Sequence, residues 1–436
     1  MSRPLASLRV IDCGTYVASP AAATILSDFG AEVIKIERPP HGDPYRYLAS
    51  GPQFPRSDLN YCWILDSRNK KSLALNLADQ AGQEIMRKLA ATADVFVTNF
   101  QPDLLKKFHI TFKELASSNK RLIYAHVTGY GEQGAEAGLP GYDVTAYFAR
   151  TGLMSELRTE NCEPCAYPMG AGDHPTSVTL AAAIFFALYQ RELTGCGMKV
   201  STSLMATGAW ANSCAIQAAF CGAQWPAPST RVRETVPDPL MNVYRSRDGL
   251  WFYVCLADGV NGWPRLCRAM SRPELADDPR YNSFATREEH APALISILDA
   301  AFAQKDLAEW RGLFNQYEVA WAPVQKTASV IHDRQMEANG VFAHIEVPGF
   351  GEAGTINNPL TLEGVDLEAP RPAPEIGEHT AEILGSLGMS SEAIAELEKR
   401  GVVTTRQAVA APGQPRPPIA GRILENVDRD QLPRES

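Results

Sequence analysis

The stretch Leu8–Pro39, LRVIDCGTYVASPAAATILSDFGAEVIKIERP, decides the fold. Leu8–Asp12 and Glu32–Glu37 are short apolar runs rich in β-branched residues, the pattern of strands buried in a sheet. Ala21–Phe29 between them has the spacing of a helix, and Gly14 supplies the turn. Strand, turn, helix and strand make a βαβ unit, whose two strands run parallel. The same alternation continues outward. Ser72–Asn76, Asp94–Thr98 and Arg121–Val127 read as strands, Asp79–Ala91 and Phe112–Ser117 as helices. A long helix over about 175–191, a turn at Gly195-Cys196-Gly197 and a strand at Lys199–Thr202 follow. The expected class is α/β, with a large doubly wound, Rossmann-like domain.

This opening imitates a dinucleotide site, because Glu37 stands where such folds place an acidic residue for the ribose. The segment Gly14-Thr15-Tyr16-Val17-Ala18-Ser19 has one of the three glycines the fingerprint needs. Tyr16 and Val17 are too bulky to let the backbone approach a pyrophosphate. The topology is kept and the nicotinamide cofactor is set aside.

Beyond the first half, Gly222–Pro239 carries four prolines and reads as a linker. Val243–Arg245 and Trp251–Cys255 flank the turn Arg247-Asp248-Gly249 as a hairpin, with helical segments after it. The expected domains are 1–224, the N-terminal part of the large domain; 225–330, a smaller α+β domain; 331–405, a return segment completing the large domain; and 406–436, an arm or tail. The chain has 436 residues, 45% hydrophobic and 21% charged, with net charge −9. That balance argues against nucleic acid as a partner, which needs a basic surface. No run approaches the ~18 uninterrupted apolar residues of a membrane span, and the N-terminus shows no apolar signal core. Nine cysteines, an odd number, suit reduced thiols in the cytoplasm. Cys162 and Cys165 form a CxxC, but no second pair at zinc-like spacing accompanies it, so they read as loop cysteines and no metal site is expected.

A series of short motifs runs the length of the chain: Leu8–Asp12, Ser19-Pro20, Leu26–Pro39, Gly42-Asp43 to Arg46, Arg68–Ser72, Thr98–Pro102, Gly129-Tyr130-Gly131, Pro140–Asp143, Gly195–Leu204 and Gly377–Thr380. In this order they resemble the class III CoA transferases, the formyl-CoA:oxalate and carnitine CoA transferase (CaiB/BaiF) family. The resemblance implies transfer of CoA from a donor acyl-CoA, succinyl-CoA-like, to a small organic acid, through a covalent aspartyl anhydride and an aspartyl-CoA thioester. It implies no tightly bound cofactor, with coenzyme A and its acyl thioesters entering as substrates. It also implies a homodimer of interlocked rings.

The motif Met169-Gly170-Ala171-Gly172-Asp173-His174-Pro175-Thr176 delivers an aspartate to the start of the long helix. Read locally, Asp173 is a helix N-cap followed by a first-turn proline. The same position suits a nucleophile: the helix dipole and free amides are expected to keep the carboxylate ionised, and backbone amides could form an oxyanion hole. By resemblance Asp173 is the catalytic residue. Arg38 and Lys107 would meet the CoA phosphates. Tyr16, Val17, Leu75, Asn99, Phe100 and Phe108 would line the nucleotide groove, with Tyr142 and Asp143 in the active site. Val17, Leu75 and Phe100 also read as ordinary core residues, and Arg38 and Lys107 as solvated charges.

His174, beside the nucleophile, is a tentative partner for a second substrate carboxylate, and His126 a further candidate for proton transfer. Two departures put oxalate in doubt: Pro140 replaces a lysine near the CoA site, and a glycine-rich insertion ahead of the small domain is absent. A related α-methylacyl-CoA racemase needs a histidine base directly before the aspartate of its GHD motif, and Tyr142 occupies that place here. A CoA-binding protein without turnover is the third reading.

Overall fold

The computed structural model of the chain describes residues 3–159, 162–165, 167–225 and 232–405. By its contacts the chain forms two units. One takes Met1–Leu153, Ala166–Ser213 and the described residues from Asn339 on; the other takes Met154–Cys165 and Cys214–Ala338.

In the first unit, β1 (Arg9–Asp12), β2 (Glu32–Glu37), β3 (Lys70–Leu75), β4 (Val95–Thr98), β5 (Ile123–Thr128) and β6 (Lys199–Ser203) form a parallel sheet in the order β3-β2-β1-β4-β5-β6. That is the doubly wound order, with the chain reversing direction between β1 and β4. The central strands are buried on both faces, which is why they read as continuous apolar runs. Helices Ala18–Asp28, Gln80–Ala91 and Asp173–Thr194 lie within two residues of their expected bounds, except that the first begins three residues earlier and the last ends three residues later. It stops at Gly195, which caps it at φ 73°, a left-handed conformation that glycine adopts without strain.

The second unit carries a three-stranded antiparallel sheet of β7 (Met241–Arg245), β8 (Trp251–Cys255) and β9 (Trp321–Pro323). Tyr244, Phe252, Phe302, Trp310 and Phe314 fill its core, with the Phe252 and Phe302 rings packed edge to face at 5.0 Å. Back in the first unit, β10 (Phe342–Val347) and β11 (Gly351–Ile356) form a hairpin. The two-residue β12 (Val403–Thr404) then adds to the edge of the large sheet, antiparallel to β3. The expected tail at 406–436 lies outside the described residues, as does the proline pair at 226–228 within the expected linker.

Several motifs of the sequence turn out to be packing devices. The glycines at 129 and 141 face each other so closely that a Cβ on Gly129 would stand 2.7 Å from the Gly141 Cα. Arg68 is buried and grips Asp28 through two nitrogens, at 3.0 and 2.7 Å. Asn69 and Arg371 bind the return segment to the start of β3, Asn69 N donating to the Arg371 carbonyl at 3.2 Å and Arg371 N to the Asn69 side-chain Oδ1 at 2.7 Å.

Candidate active site

A groove of about 1050 Å³ opens along the C-terminal ends of β1, β4 and β5, where the winding direction reverses. Crevices at this point are where doubly wound folds bind ligands. Its walls come from Thr15–Ala18 after β1, Asn99–Pro102 after β4, Val127–Gly129 at the end of β5, and the segments 139–144 and 167–169. Asp173 also lines it.

The loop after β1 is pinned from three sides. Asn99 and Thr15 exchange hydrogen bonds, Thr15 N to Asn99 Oδ1 at 2.9 Å and Asn99 Nδ2 to the Thr15 carbonyl at 2.8 Å. From below, Lys35 Nζ donates to the Gly14 carbonyl at 2.6 Å, and Tyr16 N donates to Asp43 Oδ1 at 3.1 Å. Tyr16 sits at φ 61°, a strained conformation for an aromatic residue, which persists because these contacts over-determine it. Its ring meets Tyr142 edge-on at 6.0 Å.

The floor is a sealed ionic cluster. Lys35, Lys70, Asp12 and Asp43 are all buried, with Lys35–Asp43 and Lys70–Asp12 pairs each at 2.8 Å. Burial raises the Asp12 carboxyl, but Lys35 and Lys70 outweigh it and hold the group below its ordinary range. Burial lowers Lys35, yet Asp12 and Asp43 together push it above the usual lysine range.

Asp173 is the first residue of its helix rather than the cap, and Gly172 holds the cap position. No side-chain capping bond forms there. Of the expected free amides, His174 N is bonded to the Gly170 carbonyl at 3.0 Å, Thr176 N to the Gly172 carbonyl at 3.3 Å, and Pro175 has none. The expectation of a charge-stabilised carboxylate is therefore corrected. Burial, then the neighbouring Asp143 carboxylate, push Asp173 up to about 7, with His174 opposing and Asp66 adding to the rise. A desolvated carboxylate poorly served by hydrogen bonds is a stronger nucleophile than a solvated one.

The turn that presents Asp173 depends on two glycines. Gly170 has φ 78°. Gly172 lies against a π-helix, Asp143–Ala149, a rare geometry often found at functional sites. A Cβ on Gly172 would meet Tyr147 Cγ at 2.7 Å and Asp143 Cβ at 3.0 Å. Asp143 is itself buried; its Oδ1 accepts from Val144 N at 2.8 Å and its Oδ2 from Gly172 N at 3.4 Å.

His174 faces away from the groove. Nδ1 lies 3.0 Å from the Gly170 carbonyl and Nε2 3.1 Å from Asp66 Oδ1, and the ring lines a separate cavity of about 800 Å³. Burial lowers its pKa, but the hydrogen bond and charge of Asp66, with the Gly170 carbonyl, push it up to about 9. Both ring nitrogens lie within hydrogen-bond reach of acceptors of this chain, an arrangement that holds the turn and gives the expected substrate contact no support. Buried Asp66 is fixed in turn by the Tyr45 hydroxyl at 2.6 Å. His126 is equally committed, to Glu132 at 2.5 Å and to the Phe100 carbonyl at 3.0 Å.

Of the residues expected at the site, the groove brings together Tyr16, Val17, Asn99, Phe100, Tyr142, Asp143 and Asp173. Leu75, by contrast, is 1% exposed inside the hydrophobic core, because strand alternation turns it away from the groove and β12 covers that edge. Phe108 packs against the same core, edge to face with Phe100 at 6.1 Å. Arg38 and Lys107 are exposed and stand outside the groove. Lys107 lies one turn beyond Leu104, a groove residue, on helix Pro102–Lys107. Sequence reasoning missed Gln53, Phe54, Tyr61, Tyr167 and Met169, which line the groove, and Asp66 behind the turn. Only the density of aromatic residues over 54–63 hinted at the first of these.

The first unit is thus a doubly wound fold whose switch-point groove is lined by two aspartates, of which Asp173 stands on a glycine turn. The chain belongs to CoA-transferase family III, whose family model matches residues 5–380. It is 33% identical to the (R)-2-hydroxy-4-methylpentanoate CoA-transferase of Clostridioides difficile, over 92% of this chain and 99% of that one. It is likewise 33% identical to the cinnamoyl-CoA:phenyllactate CoA-transferase of Clostridium sporogenes, over 92% and 97%. Among solved structures, a CaiB/BaiF family protein from Brucella suis superposes with a TM-score of 0.76 at 26% identity, covering 89% of this chain and 100% of that one. The protein is a class III CoA transferase, and the racemase reading is not favoured.

Proposed function

We propose that the protein moves CoA between an acyl-CoA and a carboxylic acid with Asp173 as the covalent carrier. The observation that carries this is the Asp173 carboxylate, raised to about 7 by burial and by Asp143, standing in the groove wall on the Gly170–Gly172 turn. A carboxylate oxygen of Asp173 attacks the donor thioester, the C–S bond breaks, and a mixed anhydride and CoA thiolate result. The thiolate attacks the Asp173 carbonyl, expelling the donor acid and leaving an aspartyl-CoA thioester. The acceptor carboxylate attacks that thioester, and the released thiolate takes the acyl carbon of the new anhydride, restoring Asp173. No net proton or electron is transferred. Gly172 N, held by Asp143 only at 3.4 Å, is the amide best placed to turn toward a developing oxyanion.

Tyr16, Val17, Asn99 and Phe100 would line the path of the pantetheine arm, and Arg38 and Lys107 would meet phosphates beyond the groove. A homodimer is supported by an apolar stripe on helix Asp173–Thr194, where Phe186, Tyr189 and Leu193 are all exposed, and by Trp210, 82% exposed. Such surface marks an interface in a water-soluble chain; the interlocked form rests on the family alone. Among the described residues no helix is long and apolar enough to cross a membrane.

The test is incubation of purified protein with acyl-CoA donors, followed by hydroxylamine or borohydride and peptide mass spectrometry. Modification at Asp173, lost in Asp173→Asn, supports the carrier role. Turnover with no modification there, or deuterium washing into the α-position without any acceptor, contradicts it.

A further inference from the structure

The groove around Asp173 is apolar and almost without charge. Phe54, Tyr61, Met169, Leu139 and Val144 supply apolar wall, and Gln53, Thr128 and the tyrosines supply uncharged polar groups. Among the described residues of this chain, Asp143 and Asp173 are the charged groups lining it, both acidic, and no lysine, arginine or histidine joins them. Arg56, next in sequence to the lining residue Pro55, is exposed and does not line it. His174, the cation nearest Asp173 in sequence, is bound to Gly170 and Asp66 and faces the other cavity.

A substrate acid needs one carboxylate for the chemistry. A second carboxylate, as in succinate, glutarate or oxalate, would enter an apolar space where the described residues offer no cation to pair with and Asp143 repels it. Burying an unpaired charge is strongly unfavourable, whereas an alkyl or aryl group in its place gains from burial. From the lining we infer that the acyl groups handled here are monocarboxylic acids with an apolar side chain, an uncharged polar substituent being tolerated, and that dicarboxylic acyl groups are rejected. This departs from the succinyl-like donor expected from the sequence. It rests on the assignment of the groove as the transferase site.

Hexanoate and adipate test it, because they differ only in a terminal methyl against a terminal carboxylate. The full-length protein is given butanoyl-CoA as donor, and separately acetyl-CoA and succinyl-CoA, with each acid as acceptor. Initial rates of hexanoyl-CoA and adipoyl-CoA formation are read by mass spectrometry. The expected result is a kcat/KM for hexanoate at least roughly tenfold above that for adipate, since an unpaired buried charge costs more than one power of ten. Equal or faster formation of adipoyl-CoA overturns the inference. So does an Asp173 adduct from a donor with turnover of neither acid, because hexanoate belongs to the class named. Absence of both turnover and any Asp173 adduct overturns the transferase site itself, which separates the two failures.

Discussion

Replacing Asp173 by asparagine should abolish turnover and stabilise the fold, and the gain should depend on pH. The carboxyl is raised from its ordinary 3.8 to about 7 by burial and by Asp143. A carboxyl raised on folding adds stability below its unfolded value, and that contribution fades as pH rises through the folded one. Relative to a group that does not titrate, the ionised Asp173 thus costs stability at alkaline pH. With about 1.36 kcal/mol for each tenfold change in the ionisation constant, the cost is on the order of 4 kcal/mol near pH 8 and under about 1 kcal/mol near pH 4. Asparagine has nearly the same shape and no charge, so Asp173→Asn should recover most of it. The assay is thermal or urea unfolding of both proteins at several pH values between about 4 and 8, with Tm compared pairwise. The expected outcome is a variant several degrees more stable near pH 8, converging on the parent near pH 4. A variant no more stable at pH 8, or a difference that does not change with pH, refutes the claim that the site holds this carboxylate at a cost.

Four further outcomes follow from the same geometry. The kcat/KM of the donor half-reaction should rise with pH through a limb near the about 7 of Asp173 and fall again as His174 loses its proton near about 9; a flat profile across that range contradicts both. Gly172→Ala places a methyl 2.7 Å from Tyr147, and should cost about 1–3 kcal/mol of stability by urea unfolding and at least roughly a hundredfold in kcat. Asp12→Ala leaves Lys70 and Lys35 buried beside one carboxylate fewer, and should destabilise by about 3–5 kcal/mol, read as a fall in the urea midpoint. Trp210→Glu together with Tyr189→Glu should shift sedimentation from dimer toward monomer, whereas an unchanged dimer would place the interface elsewhere.

The sheet was legible because its strands are buried on both faces. Val10–Ile11, Val33–Ile34 and Val95–Val97 must be apolar, and helices between them show their own period. β12 was invisible: two residues pairing with β3 from more than three hundred positions away leave no local pattern. Read locally, Asp173 looked like a helix cap, and only its place in the chain-long series of motifs pointed to a nucleophile; its ionisation was misjudged. The dipole argument counts the free amides of a first turn, and here His174 N and Thr176 N are already bonded while Asp143 stands close by. Leu75 misled because a strand residue beside a ligand edge looks the same whichever face it takes. Asp66, Gln53 and Tyr61 were missed because only the folded chain brings them to residues 99–173, and no spacing encodes that.

Mass spectrometry of the Asp173 peptide under turnover tests the central claim most directly. With enzyme, acyl-CoA and limiting acceptor quenched into borohydride, the account predicts reduction at Asp173, dependent on acyl-CoA and absent when acyl-CoA is left out. An unmodified Asp173 peptide during sustained CoA transfer, with the label on another residue or on none, would contradict it.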